Sequence, residues 1–238
     1  MGEPVGALSR GLALGLWAAV LLRSAGDGRL DLLLRAQYHP LVTLAGGLLA
    51  ALAAAQLLVA LRQHRGQQGR RAPADPAHWR TTLATAAVAL LVLAMPPDPS
   101  FADLATRRPQ DLVAAESGLS FVLPPLQRSL TDWVRLLREQ PDPRLYDGDA
   151  VRVSGFVLPV PGEPPRLARL LVRCCIADAA PVGLPVAWPA DRPWPAADRW
   201  LAVEGVMRAV AGADGQAELV IVPTTIRAIP RPARPLEP

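Results

Sequence analysis

The sequence predicts a membrane-anchored protein in which N-terminal helices precede a small all-β domain. Two observations lead to this fold class. Uncharged apolar stretches are concentrated before Asp98, whereas from Tyr146 onward apolar and polar residues alternate with a period of two. Long apolar stretches are typical of membrane-spanning helices, and a period of two is typical of half-buried strands. A third feature lies in the predicted β domain: the adjacent Cys174 and Cys175 are the only cysteines of the chain.

The charge of the chain argues against a nucleic-acid-binding function. The 238 residues include 25 basic and 21 acidic side chains, with a net charge of +4. From Asp98 onward, however, 16 arginines stand against 17 acidic residues, so the excess of positive charge belongs to the first part of the chain. A nucleic-acid-binding domain needs a basic surface. We therefore expect the lipid bilayer as a partner and no nucleic acid.

Three apolar segments are predicted to form a membrane anchor over residues 1–97. Residues 41–61 contain 21 residues without a charge, enough to cross a hydrocarbon core of about 30 Å. Residues 80–95 are predicted as another span, because Trp79 precedes them as an interfacial residue and Pro96-Pro97 follow as a helix stop. Residues 8–22 are followed directly by Arg23, and they form either a first span or the apolar core of a cleaved signal peptide.

The arginines around these segments predict their orientation. Cytoplasmic loops of membrane proteins carry an excess of basic residues. One side of the predicted spans carries twice as many arginines as the other: Arg10, Arg62, Arg65, Arg70, Arg71 and Arg80 against Arg23, Arg29 and Arg35. The first group is therefore expected in the cytoplasm. Three spans then predict a multi-pass protein of the plasma membrane whose C-terminal domain is extracytoplasmic.

Residues 98–145 are predicted as a connector with one amphipathic helix over 129–139. Ser129 and Asp132 have the spacing of a helix-capping box, and apolar residues follow at helical intervals. Residues 146–229 contain five strand candidates, at 151–158, 167–175, 184–188, 200–210 and 218–229. They predict a five-stranded OB-like barrel, with a β-sandwich as the alternative. Residues 230–238 include four prolines and are expected to be an extended, mobile tail without ladder hydrogen bonds.

The cysteine pair permits three interpretations. Alternation along the strand 167–175 predicts a core position for Cys174 and an exposed one for Cys175, which suits simple packing. A vicinal disulfide or other redox role is the second interpretation, although such a disulfide would be strained. Metal binding is the third, with Asp178 as a third ligand; zinc sites normally need four ligands, so a self-sufficient site is not expected. His39, before the span at 41–61, is a further candidate for metal binding or for titration, or an interfacial anchor.

A series of spaced residues in the second half of the chain resembles the bacterial YcgQ-like family of membrane proteins. The most specific part is the Cys-Cys-x-Ala-Asp-Ala core at 174–179, and the full pattern also includes Tyr146, Gly148, Val151, Val153, Gly155-Phe156-Val157, Ala168-Arg169, Pro181-Val182-Gly183-Leu184 and the stretch 200–205. Tyr38-His39-Pro40 and the helix around Trp133 also fit the family layout, whereas Leu41 stands where a basic residue is expected.

The resemblance implies the function. Members of this family accompany multi-span permeases of the YraQ or YcgR type, and some are associated with zinc-responsive regulation. It thus implies an accessory subunit of a two-component permease. A divalent metal such as zinc is the candidate cargo, and Cys174, Cys175 and Asp178 are the candidate ligands, completed by groups from the partner. The competing hypotheses are a thiol redox protein and a structural anchor without a ligand. The chain has no Cys-x-x-Cys and no histidine after His78, so we expect a binding module rather than an enzyme.

Overall fold

The computed structural model describes residues 4–66, 76–95, 98–107, 123–212 and 216–237. The chain divides into two compact units, Met1–Asp98 and Pro99–Pro238. Some predicted features lie outside the described residues: the helix stop at Pro96-Pro97 and the loop arginines Arg70 and Arg71.

The first unit is helical. It contains α1 (Pro4–Gly26), the short α2 (Leu30–Leu33), a 3-10 turn (Ala36–Tyr38), α3 (His39–Gly66) and α4 (Pro76–Ala94). α1 packs against α3 and α4. The contact with α3 is close at Gly46, where a Cβ atom would lie 2.9 Å from Cδ2 of Leu22. The small residue therefore lets the two helices approach each other.

The expectation of three transmembrane helices is wrong. Within the described residues, one helical stretch, Ala36–Arg62, is long and apolar enough to cross a membrane. In α1, Arg10 and Arg23 limit the uncharged run to residues 11–22, which spans only about 18 Å as a helix. In α4 the apolar part is Arg80–Ala94, which is shorter than the length a span requires. Charge placement and helix length thus leave α3 as the single candidate.

The second unit combines short helices with one sheet. Its helical elements are α5 (Phe101–Thr106) and α6 (Leu130–Glu139), with 3-10 turns at Pro125–Gln127, Pro143–Tyr146 and Ile176–Asp178. Its strands are β1 (Ala150–Val160), β2 (Glu163–Leu171), β3 (Ala180–Pro185), β4 (Trp200–Ala211), β5 (Ala217–Ala228) and β6 (Leu236–Glu237). α6 begins with a capping box in which Ser129 and Asp132 bond each other's backbone N–H groups.

The predicted five-stranded OB-like barrel is wrong, and so is the alternative of two packed sheets. The strands form one open sheet in the order β3-β2-β1-β4-β5, and β6 adds a sixth strand beside β2. Consecutive neighbours on this path are antiparallel. The outer strands β3 and β5 are joined by no ladder; an isolated parallel bridge links Val186 to Ile221. β3 is only six residues long and ends at Pro185, which has no N–H to extend pairing along β5.

Successive side chains of β1 point to opposite faces of the sheet and contribute to two core clusters, one on each face. Val151, Val153 and Val157 belong to the cluster that packs against α6. This cluster includes the fully buried Trp133 of α6. Phe156 points the other way and contacts Phe101 of α5, with ring centroids 5.8 Å apart. α5, which precedes the strands by more than forty residues, is therefore part of the folded unit.

The expectation that residues 230–238 form no ladder is also wrong. Leu236 and Glu237 pair in parallel with Leu170 and Leu171 of β2. The prolines do not prevent this pairing, because Pro235 lies just before β6 and is itself fully buried. A proline at the entrance of a short edge strand removes no ladder hydrogen bond.

Candidate functional site

The candidate site lies in the connection between β2 and β3, residues 172–179, which we call the cysteine loop. β2 ends at Leu171 and β3 begins at Ala180. Between them, Cys175 is the N-cap of the 3-10 turn Ile176–Asp178. Its sulfur accepts the backbone N–H of Asp178, and the Asp178 carboxylate accepts the N–H of Cys175, which is a capping box with a thiol in place of a hydroxyl. The Cys-x-x-Asp spacing thus has a local structural cause.

The predicted burial of the two cysteines is wrong. Cys174 is exposed and Cys175 is half-buried, whereas strand alternation predicted a core position for Cys174. Alternation holds through Val172, which is buried, but β2 has ended at Leu171 and the chain turns before Cys174. Both thiols consequently lie on the same loop rather than on opposite faces of a strand, and both are free.

Asp178 organises the loop. Its Oδ1 accepts the backbone N–H of Arg173 at 2.9 Å, and its Oδ2 accepts the N–H of Cys174 at 2.9 Å and that of Cys175 at 3.4 Å. The thiol of Cys174 also donates to Oδ2, with sulfur and oxygen 2.7 Å apart. The Asp178 carboxylate therefore accepts hydrogen bonds from three consecutive N–H groups and from one thiol. These bonds hold residues 173–175 close to Asp178.

This arrangement shifts two pKa values in opposite directions. The hydrogen bond to Asp178, together with that to Cys175, raises the pKa of the Cys174 thiol to about 12, because a thiolate would face the carboxylate. For Asp178, partial burial acts to raise the pKa, but the hydrogen bonds from the Cys174 thiol and from the three backbone N–H groups outweigh it. The pKa of Asp178 is therefore lowered, and the carboxylate is charged at neutral pH.

The three side chains fit a soft divalent metal ion. Their donor atoms, two sulfurs and one carboxylate oxygen, all lie within 4.8 Å of one another, and the two sulfurs are 3.5 Å apart. In a tetrahedral zinc site, two sulfur ligands lie about 3.8 Å apart, and a sulfur and an oxygen ligand about 3.5 Å apart. The sulfur–oxygen distance of 2.7 Å would have to open by less than about 1 Å. Three ligands leave one position of a tetrahedral ion open.

His39 does not belong to this group. It begins α3 in the first unit, where its Nε2 lies 3.3 Å from the carbonyl oxygen of Leu34. Among the described residues, Cys174, Cys175 and Asp178 are the one group of three or more metal-binding side chains. The structure thus brings together three of the four predicted ligands.

Sequence analysis missed a group of polar side chains that connects β2 to β1, β6 and α6. Arg169 of β2 is buried, and it donates to the carbonyl and hydroxyl oxygens of Ser154, both at 2.8 Å. It also pairs with Glu237 of β6 at 3.4 Å, and Thr131 of α6 donates to the same carboxylate. The available signal was the position of Arg169 between the apolar Ala168 and Leu170, because a charge within a buried strand needs a partner.

Comparison with known proteins finds one family domain, which covers part of the second unit. Residues 128–236 match the DUF1980 C-terminal domain. No curated protein and no solved structure matches the chain. The match begins just before α6 and includes the cysteine loop. It carries no link to the YcgQ-like family or to a permease.

Proposed function

We propose that this protein, with a DUF1980 C-terminal domain at residues 128–236, is a membrane-anchored accessory subunit that binds a divalent metal ion such as zinc for a permease. The observation that carries the proposal is the convergence of Cys174, Cys175 and Asp178 on one exposed loop. Thiolate and carboxylate ligands suit zinc, and three protein ligands leave a position for an exchangeable fourth. An incomplete, exposed site suits transfer of an ion better than permanent storage.

The geometry favours metal binding over the alternative of a thiol redox protein. Catalytic cysteines have lowered pKa values, because the thiolate is the nucleophile. In the cysteine loop, Asp178 instead raises the pKa of Cys174, the more exposed of the two thiols. The same carboxylate that suppresses nucleophilic attack by the thiol contributes an oxygen ligand to a metal. The backbone contacts of Asp178 account for the turn, as a structural anchor would need, but they do not require a thiol at Cys174.

Membrane attachment is supported by the surface of the first unit. α3 exposes several large apolar side chains along its length: Leu41, Leu44, Leu48, Leu52 and Leu58. Exposed leucines in such number are compatible with lipid around the helix. The excess of arginines after α3 supports a cytoplasmic position for the α3–α4 connection. The extracytoplasmic position predicted for the C-terminal domain required three spans; with α3 as the single candidate span among the described residues, the DUF1980 domain is expected on the cytoplasmic side as well. Reporter fusions at Gln68 and Asp214 should both give cytoplasmic signals, and an external signal at Asp214 would contradict this orientation.

Metal binding is tested on the full chain in detergent, alone and together with membrane proteins that co-purify with it. We expect weak zinc binding by the chain alone, since it supplies three ligands, and tight stoichiometric binding by the assembly. Cys175→Ser should weaken binding without unfolding the domain. Asp191→Asn is the matched control, because Asp191 is an exposed carboxylate paired with Arg192 in the same unit.

Calorimetry on both preparations decides between the hypotheses. Tight binding by the chain alone would show that a fourth ligand of this chain has been overlooked. No binding by the assembly would refute the metal-binding function and leave the structural anchor. A co-purified multi-span protein identified by mass spectrometry would support the permease assignment, and recovery of the chain without any partner would count against it.

A further inference from the structure

We propose that β6, fixed by Glu237, holds the base of the cysteine loop and sets the spacing of the three donor side chains. Glu237 is then a positioning residue for the site, although it lies some sixty residues after the loop in the sequence. As a statement about metal affinity this rests on the proposed function. As a statement about the conformation of the loop it does not.

β6 pairs with the end of β2 that extends beyond its pairing with β1. β1 pairs with β2 from Glu163 to Ala168, and β3 pairs along the other edge as far as Leu171. β6 takes the free edge beside Leu170 and Leu171. The carbonyl oxygen of Glu237 accepts the N–H of Val172, the first residue of the cysteine loop, at 3.0 Å. Without β6 this end of β2 would be paired on one side only.

Glu237 also neutralises a buried charge. Arg169 is 8% exposed, and its guanidinium reaches Pro235 at 3.2 Å in addition to Ser154 and Glu237. A buried guanidinium that loses its carboxylate is left with an uncompensated charge, which disfavours the arrangement around it. The Glu237 carboxylate therefore fixes β6 to β2 through its side chain as well as through its backbone.

The hydrogen bond between Val172 and Glu237 lies next to the hydrogen bonds that hold the cysteine loop. Val172 is followed directly by Arg173 and Cys174, whose N–H groups donate to Asp178. Val172, which bonds to Glu237, is thus one residue before Arg173 and two residues before Cys174, the residues whose N–H groups bond to Asp178. A shift of Val172 would move the two N–H groups away from Asp178 and separate the Cys174 sulfur from the carboxylate.

The test compares Glu237→Gln with wild type in the full chain, with Glu204→Gln as control. Glutamine keeps the size of the side chain and removes its charge, and Glu204 is a carboxylate at the surface paired with Arg152. Two quantities are measured: the ratio of the alkylation rates of Cys174 and Cys175 in metal-free protein, and cadmium affinity from thiolate-to-cadmium absorption. For Glu237→Gln we expect a several-fold change in the ratio and a loss of cadmium affinity of about 10- to 100-fold, as for other residues that support ligands from behind. The control should change neither.

A second variant, Thr131→Val, removes only the hydroxyl that donates to Glu237 and should change both quantities in the same direction. It decides the question if Glu237→Gln does not fold. Folded variants whose alkylation ratio and cadmium affinity equal those of wild type would refute the proposal that Glu237 positions the cysteine loop. If wild type binds no cadmium, the proposed function fails, and the alkylation ratio alone still decides whether β6 positions the loop.

Discussion

Replacement of Asp178 by asparagine should make the Cys174 thiol markedly more reactive. Asparagine keeps an oxygen that can accept the N–H groups of the loop but removes the negative charge next to the sulfur. In wild type the pKa of Cys174 is raised to about 12 from an ordinary value of 9.0, and the hydrogen bond to Asp178 is the largest cause. The substitution therefore tests the central interaction of the site.

The structure sets the size of the expected effect. At about pH 8, a thiol with a pKa of 9.0 is roughly one tenth thiolate, whereas a thiol with a pKa of about 12 is roughly one ten-thousandth thiolate. Alkylation follows the thiolate fraction, so full release would accelerate it about a thousandfold. Cys174 is exposed, solvent screens the carboxylate, and Cys175 also contributes to the shift. We therefore expect an acceleration of about 10- to 100-fold.

The assay is alkylation of metal-free protein by iodoacetamide, followed residue by residue with mass spectrometry. Asp191→Asn serves as the control for loss of a surface carboxylate and should leave the rate at Cys174 unchanged. An Asp178→Asn protein that is folded and reacts at Cys174 at the wild-type rate would refute the account of the loop. It would mean that the carboxylate does not hold the thiol in solution.

Three other predictions follow from the packing and charge of the two units. Because the pKa of Asp178 is lowered, its stabilising effect should be complete above the ordinary carboxyl pKa of about 3.9 and disappear as the pH falls further, so urea unfolding of wild type and Asp178→Asn should converge in acid. Gly46→Leu should lower the melting temperature in detergent because Gly46 contacts α1, whereas Gly47→Leu should not, since a Cβ at Gly47 meets nothing within 4 Å. Phe101→Ala should cost about 3–5 kcal/mol in unfolding free energy and exposed Leu126→Ala almost nothing; equal losses would contradict the assignment of α5 to the folded unit.

Local patterns in the sequence predicted more than long-range ones. The spacing of Ser129 and Asp132 predicts the start of α6, and the structure contains both bonds of that capping box. The same spacing recurs in Cys175 and Asp178, where it would have predicted a turn instead of a continued strand. The error about Cys174 followed from this omission, because alternation was extended past the end of β2.

The remaining errors concern pairings between distant residues. The predicted strand 167–175 begins four residues later than β2, which starts at Glu163 and includes Pro164 and Pro165, near a register irregularity of β1 between Leu158 and Val160. Prolines are tolerated at irregular positions of a ladder, and sequence alone does not show where these occur. Nor does it show that Glu237 pairs with Arg169, because nothing local to either residue specifies the other.

The hydrogen bond between Cys174 and Asp178 links the resting loop to its proposed ligand. Oδ2 of Asp178 accepts the thiol at 2.7 Å, so the hydrogen lies between the two atoms that would bind a metal. An ion entering the loop would replace this hydrogen bond with two bonds to the metal, while the N–H groups of Arg173 and Cys174 could still hold the carboxylate in place. The loop is therefore organised before an ion arrives, which lowers the entropic cost of binding. Displacement of the thiol proton opposes binding, and the two effects together fit a site that releases its ion to a partner.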